Sequence, residues 1–128
     1  AGLSFAVKLD KNGGFRGRDA LVQLKAAGGA AVVRRRVVSL VVDAAHTNLW
    51  GGELILRDCA PAGFVTSAAF GHSVGKPVAL GIVSRGDGPA DPAWIEAGRY
   101  EVDLAGERLA AAVSLRAPYD PAGVRVKS

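Results

Sequence analysis

Short apolar runs separated by turn residues recur along the whole chain. The longest spans residues 31–43, and its apolar positions are Val33, Val37 and Val41 on one parity and Val38, Leu40 and Val42 on the other. Valine is β-branched and favours a pleated, half-buried backbone. Apolar residues on both faces indicate a strand that is covered on both sides, as where a barrel packs against something else.

The remaining runs predict further short strands and one helix. The predicted strands cover residues 53–57, 64–68, 78–84, 100–104 and 109–115, with loops at 58–63, 71–76 and 85–98 and a hairpin turn at 105–108. Residues 17–27 carry apolar residues on one helical face and end at Gly28-Gly29. The pattern predicts a mainly β fold: a small antiparallel β-barrel of Greek-key or jelly-roll type with one short N-terminal helix.

Length and composition bound the class of protein. The chain has 128 residues, 49% of them hydrophobic and 22% charged, which fits one globular domain over residues 1–128 and excludes a disordered segment. Its apolar runs are far shorter than the about 20 residues that a membrane helix needs, and its first residues do not have the pattern of a signal peptide. We therefore expect no membrane association, and a cytoplasmic location or, in a eukaryote, the mitochondrial matrix. The chain begins with Ala1 and contains no Met, which favours a fragment of a longer polypeptide.

The chemically reactive residues form no recognisable catalytic or metal-binding motif. Neither His46 nor His72 lies in a nucleophile-elbow sequence, and together with the single Cys59 they lack metal-ligand spacing. One cysteine also excludes an internal disulfide. We expect the chain to hold no metal, to contribute no catalytic residue and not to be an enzyme by itself.

A net charge of +4 is compatible with an anionic partner, and Arg34-Arg35-Arg36 is the strongest basic run. In a strand Arg34 and Arg36 share one face while Arg35 points to the other, which divides the charge. Few aromatic residues lie near the run, although proteins that bind single-stranded nucleic acid usually add stacking platforms to their cations. The run therefore favours a solvated or interdomain role over RNA binding.

Trp50 lies between two predicted turns and is followed by Gly51-Gly52. An indole at the rim of a barrel either fills the core or stacks on a flat ligand or a neighbouring domain. The sequence leaves both roles open.

Five segments in order resemble the C-terminal barrel of the glycine-cleavage T-protein (aminomethyltransferase) family. They are Gly2–Leu21, Leu49–Glu53, Leu56–Asp58, Gly63–Lys76 with Val78–Gly81, and Ser114–Arg125. In this order they run from one end of the chain to the other, and the series is most similar to the C-terminal end of FAD-dependent dimethylglycine and sarcosine dehydrogenase-like proteins. The flavin-binding region, and the main folate-binding domain with the family's catalytic aspartate, are absent from this sequence.

The resemblance implies a parent protein that oxidises an N-methylated amine with FAD and passes the one-carbon unit to tetrahydrofolate. This chain would be an accessory C-terminal domain that packs on the folate-binding domain of the same polypeptide and helps to close its pocket. Trp50, Arg116, Tyr119 and Arg125 are the candidates for the folate edge or the interdomain interface. In the competing interpretation the two aromatic residues pack in the core or between domains, and the arginines form salt bridges.

Two alternatives remain open. The first is the barrel of a stand-alone T-protein, an aminomethyltransferase without flavin. The second is an independent basic β-barrel that binds RNA. A flavin domain in the full-length gene separates the first alternative from the leading one, and salt-dependent RNA binding tests the second.

Overall fold

Six antiparallel strands close into a barrel in the computed structural model, which describes residues 6–44, 47–125 and 127. The strands are β1 (Arg35–Val42), β2 (Leu54–Arg57), β3 (Ala60–Gly71), β4 (Lys76–Ser84), β5 (Tyr100–Leu104) and β6 (Glu107–Ser114). Their order around the barrel is β1-β4-β3-β2-β5-β6. Strands β2, β3 and β4 are consecutive hairpins and β1 lies beside β4, which is a Greek key. The predicted fold class is confirmed.

Alternate residues of each strand fill the interior of the barrel. On β1 the inward residues are Val38, Leu40 and Val42, and all three are buried. They pack with residues from the other strands and from the second helix: Ile55, Val65, Ala79, Val83, Ile95, Tyr100, Val102 and Leu109. A six-stranded barrel of this size has its core filled by side chains and leaves no interior channel.

Two helices flank the barrel, one more than predicted. Helix α1 (Arg18–Ala26) lies within the predicted span 17–27, and none of its residues is buried. Helix α2 (Pro92–Ala97) forms where the sequence predicted only a loop, so that prediction was wrong. Asp91 accepts a hydrogen bond from the Trp94 N–H at 2.8 Å, and Ile95 is fully buried. Within the described residues, neither helix is long and apolar enough to span a membrane.

Several strand bounds differ from the prediction for local reasons. Strand β1 begins at Arg35 because Gly29–Val32 forms a turn of 3-10 helix. The predicted loop at 58–63 is reduced to the two-residue turn Asp58-Cys59, both with positive φ, so that β3 begins four residues earlier than predicted. Two central residues with positive φ match the right-handed twist of the flanking strands.

Candidate interdomain surface

The outer surface of the barrel is divided into an apolar and a polar half. On β1 to β4 the outward positions include Val37, Val41, Leu54, Phe64, Val78, Leu80 and Ile82. These residues are called the apolar face below. On β5 and β6 the outward positions include Glu101, Asp103, Arg108, Ala110 and Ala112, which are charged or small. The apolar half is the one suited to contact another protein surface.

Strand pairing aligns four large side chains of the apolar face in one row. Leu54 pairs with Phe64, and Phe64 pairs with Ile82. Ile82 in turn pairs with Val37, so the row crosses four strands. Leu54 is 40% exposed, and Phe64 and Leu80 are each 46% exposed. Half-exposed large apolar side chains on adjacent strands are typical of a surface that is buried against a partner.

Trp50 stands on the turn that leads into β2, and it is 84% exposed. The Glu53 carboxylate accepts hydrogen bonds from the backbone N–H of Trp50 at 2.6 Å and from the backbone N–H of Gly51 at 3.0 Å. Gly51 and Gly52 both have positive φ, a conformation that favours glycine. The Gly52 N–H donates to the Val65 carbonyl at 2.8 Å and joins the turn to β3. This exposure excludes the core position that the sequence had left open for Trp50.

A shallow cleft of about 300 Å³ lies between the β3–β4 turn and the chain after β6. Its lining is Gly71, His72, Ser73, Val74, Val78, Ala117, Pro118 and Tyr119. Val78 belongs to both the cleft and the apolar face, so the two surfaces are continuous. His72 stands edge-on to Phe70, with 5.2 Å between the ring centres. The cleft therefore extends the apolar face with three side chains that can hydrogen-bond, His72, Ser73 and Tyr119.

The chain after β6 is folded back on itself by Asp120. Its carboxylate accepts the N–H groups of Val124 at 2.9 Å and of Arg125 at 3.0 Å. Arg125 also donates to the Tyr119 hydroxyl, and its guanidinium carbon lies 5.5 Å from the centre of the Tyr119 ring. Asp120 therefore holds Tyr119 and Arg125 together at the edge of the cleft.

Of the four residues singled out in the sequence, Tyr119 and Arg125 contact each other, whereas Trp50 and Arg116 are not part of that pair. Arg116 is exposed and precedes the cleft-lining residue Ala117; its backbone N–H donates to the Ser114 hydroxyl at 3.0 Å. Trp50 does not line the cleft and lies on a separate turn. The role of all four at a folate edge stays a prediction.

The second tryptophan, Trp94, is part of the barrel's own packing. The Arg57 guanidinium carbon lies 4.3 Å from its ring centre, and that of Arg85 lies 5.6 Å away. Arg57 also donates to the Trp94 carbonyl at 2.9 Å and forms an ion pair with Asp58. The two tryptophans therefore differ, since Trp94 is shielded by arginines whereas Trp50 is exposed.

One end of the barrel is mainly basic and the other is mainly acidic, and each also carries some side chains of the opposite charge. One end has Arg34, Arg35, Arg36, Arg57, Arg85, Arg99 and Arg116, and the other has Asp43, Glu53, Asp103 and Glu107. At the acidic end the Lys76 ammonium donates to Asp43 at 2.7 Å and holds the pKa of that carboxyl below its usual value. At the basic end Arg85 lowers the pKa of Asp87 in the same way. Both carboxylates are ionised at neutral pH and serve as ion-pair partners.

The part of the chain that the structure describes contains no group of three or more His, Cys, Asp or Glu side chains that could hold a metal ion. Cys59 is exposed in the β2–β3 turn. His46 lies outside the described residues. The arrangement offers an apolar contact surface, an exposed indole and a tyrosine–arginine pair, which together suit docking and ligand contact.

A protein-family model for the glycine cleavage T-protein C-terminal barrel domain matches residues 35–120. The chain belongs to this family. The match begins at the first residue of β1 and ends at Asp120, so it contains the whole barrel. Helix α1, which buries none of its residues, lies before the matched region.

Relatives of this T-protein-type barrel are much longer than the chain. Mitochondrial sarcosine dehydrogenase of Mus musculus is 36% identical over 99% of the chain, which corresponds to 13% of that enzyme. The formaldehyde-forming 4-methylaminobutanoate oxidase of Paenarthrobacter nicotinovorans is 31% identical over 99% of the chain and 14% of the oxidase. Among solved structures, aminomethyltransferase T of the glycine cleavage system from Bartonella henselae matches with a TM-score of 0.63 and 27% identity, over 87% of this chain and 28% of that one.

Sequence reasoning missed the apolar face as one surface and the role of Glu53. The two-sided apolar pattern of β1 was a signal for the face. The outward positions Leu80 and Ile82 on β4 would have extended it once β4 was paired with β1. Glu53 ends one of the family-like segments, but its role was not predictable because its hydrogen bonds depend on the conformation of the turn.

Proposed function

We propose that this barrel is the accessory C-terminal domain of a tetrahydrofolate-dependent, FAD-linked N-methylamine dehydrogenase of the sarcosine or dimethylglycine type. In this proposal the apolar face packs on the folate-binding domain of the same polypeptide and the barrel helps to close the folate pocket. FAD is bound by another domain of the parent protein. The barrel supplies contacts and leaves the chemistry to the other domains.

The apolar face is the observation that carries this proposal. In its row of paired side chains, Leu54 is 40% and Phe64 is 46% exposed, and the row continues across β4 through Ile82. Burial of such a row against protein is favourable by about 25 cal/mol per Å² of apolar area. The chain matches 13% of the mouse sarcosine dehydrogenase, so in proteins of that size most of the polypeptide is available as the covering partner.

The cleft supports the placement of a cofactor edge at the same seam. Tyr119 and Arg125 lie where the cleft continues the apolar face, so a domain seated on that face would bring its own surface close to them. Guanidinium groups such as those of Arg116 and Arg125 suit the carboxylates of a glutamyl-tailed folate. We propose that Arg116, Tyr119 and Arg125 line the edge of the shared pocket and that Trp50 lies at the interdomain interface. The parent protein is expected in the cytoplasm or the mitochondrial matrix.

A stand-alone aminomethyltransferase is the second candidate. It is favoured by the match to aminomethyltransferase T from Bartonella henselae, which covers 87% of this chain. The apolar face would have the same packing role there, and the parent protein would bind no flavin.

Purification of the full-length polypeptide that contains this chain separates the candidates. The first predicts a bound flavin with its visible absorbance and oxidation of sarcosine or dimethylglycine with a dye as electron acceptor. Added tetrahydrofolate should divert the one-carbon unit from free formaldehyde to folate. A full-length protein without flavin that transfers an aminomethyl group selects the second candidate. Salt-dependent RNA binding by a protein with no response to folate contradicts both.

A further inference from the structure

The turn that carries Trp50 is unusually well fixed for a surface turn with an exposed side chain. Glu53 Oε1 accepts the Trp50 N–H at 2.6 Å and the Gly51 N–H at 3.2 Å, and its Oε2 accepts the Gly51 N–H at 3.0 Å. Both carboxylate oxygens are thus directed at two consecutive backbone donors. Hydrogen bonds to an ionised carboxylate are roughly twice as strong as neutral ones.

A second set of contacts fixes the same turn to the barrel. The Val65 N–H donates to the Glu53 carbonyl at 2.9 Å, and the Gly52 N–H donates to the Val65 carbonyl at 2.8 Å. A Cβ on Gly51 would lie 3.4 Å from the Thr66 carbonyl oxygen, so the turn lies close against β3. The backbone at Trp50 is therefore held from one side by β3 and from the other by the Glu53 carboxylate.

We infer that Glu53 is a positioning residue that holds Trp50 as a preformed anchor, and that this anchor inserts into an apolar pocket on the folate-binding domain of the same polypeptide. The inference rests on the proposed function and adds the residue that fixes the register of the two domains. Tryptophan is among the residues that contribute most to binding when they fill a partner's pocket. An anchor fixed before docking avoids most of the entropy cost of ordering it.

The position of the turn favours a protein pocket over a free ligand as the occupant. Strand β2 begins just after the turn and carries Leu54 of the apolar face, and Gly51 of the turn lies against Thr66 of β3, so the turn borders the surface proposed to be covered. Trp50 is 84% exposed, nearly twice as exposed as the most exposed residues of the apolar face. The cleft with Tyr119, the other candidate for ligand contact, does not include Trp50.

Hydroxyl-radical footprinting of the full-length polypeptide tests the anchor, with mass spectrometry of the peptides as the readout. Trp94 is the internal reference because it is shielded by Arg57 and Arg85. We expect Trp50 to be oxidised no faster than Trp94, with or without tetrahydrofolate. Oxidation of Trp50 several-fold faster than Trp94, with Phe64 and Leu80 protected, overturns the anchor and spares the proposed function. Rapid oxidation of Trp50, Phe64 and Leu80 together overturns both the anchor and the proposed function. Protection of Trp50 only in the presence of tetrahydrofolate overturns the anchor, because a ligand then covers Trp50 in place of a protein pocket.

Hydrogen exchange of the Trp50 and Gly51 amides tests the role of Glu53 in the same protein. Loss of both acceptor oxygens in Glu53→Ala should speed their exchange by about ten-fold or more and raise Trp50 oxidation. Glu53→Gln, which keeps one acceptor oxygen, should fall between, and Glu107→Ala is the matched control at an exposed carboxylate on β6. Unchanged exchange in Glu53→Ala, with the core amides still protected, would remove the positioning role. If Glu53→Ala does not fold, Glu53→Gln decides by the same two readouts.

Discussion

At the scale of single residues, the barrel depends on a few positions whose importance is invisible in the composition. A Cβ on Gly63 would lie 1.8 Å from the Ile82 carbonyl oxygen, so β3 and β4 approach there as only glycine allows. The sequence marked Gly63 as the end of a loop. Its identity as a packing glycine follows only from the pairing of Gly63 with Val83. In the same way, Trp50 was predicted to lie at a rim, but its exposure was not predictable because burial depends on tertiary contacts.

Gly63→Ala should destabilise the chain by about 3 kcal/mol, because the added methyl forces apart two paired strands. Gly86→Ala is the control, since nothing lies within 4 Å of a Cβ at Gly86, and it should change the free energy of unfolding by less than about 0.5 kcal/mol. Urea unfolding followed by fluorescence measures both. Equal stabilities of the two variants would show that β3 and β4 tolerate a wider separation.

At the scale of elements, strongly alternating segments were predictable and short or capped ones were not. Strand β5 has the predicted bounds 100–104, since its buried Tyr100 and Val102 alternate with acidic residues. Helix α2 was not predicted because its six residues are too few to show a repeating apolar pattern. In addition, Asp91-Pro92 is as typical of a turn as of the start of a helix. The start of β3 was missed because Ala60-Pro61-Ala62-Gly63 has a loop composition and its pairing with β2 is a tertiary effect.

Asp91→Ala should cost about 1 kcal/mol of stability, because the Asp91 side chain accepts the Trp94 N–H at the start of α2. Glu96→Ala in the same helix is the comparison, since Glu96 is exposed, and it should be close to neutral. The urea midpoint of each variant is the measurement. A neutral Asp91→Ala would mean that burial of Ile95 alone holds α2 in place.

The ion pair between Lys76 at the start of β4 and Asp43 just after β1 should respond to pH. Lys76 lowers the folded-state pKa of Asp43 below its ordinary 3.8, so the pair stabilises the fold above that pH and its contribution is lost as pH falls through the lowered pKa. In Lys76→Gln the pKa of Asp43 should return to near its ordinary value, as measured by NMR titration of the carboxyl carbon. Lys25→Gln on α1 should leave it unchanged. An unaltered Asp43 pKa in Lys76→Gln would rule out the pair in solution.

At the scale of the whole molecule, the division of the outer surface into apolar and polar halves explains why β1 carries apolar residues on both of its faces. Apolar residues on both parities of β1 predicted a strand covered on both sides. The barrel core covers one side, and the other forms part of the apolar face, next to β4. The matched relatives are much longer than the chain, and in the proposed function the partner that covers the apolar face lies in the rest of such a longer polypeptide. Which residues meet a cofactor was not predictable, because that depends on the covering domain.

The central claim is that the apolar face is covered in the full-length protein, and thiol labelling tests it most directly. In a Cys59→Ser background, which removes the exposed native thiol, Leu80→Cys places a thiol on the apolar face and Ala110→Cys places one on the polar half. Both native side chains are exposed in the barrel. In the folded full-length polypeptide, maleimide should modify the Leu80→Cys thiol about ten-fold more slowly than the Ala110→Cys thiol, because a neighbouring domain excludes the reagent. Equal labelling rates, with both variants folded, would show that the apolar face is free and would contradict the proposed interdomain role.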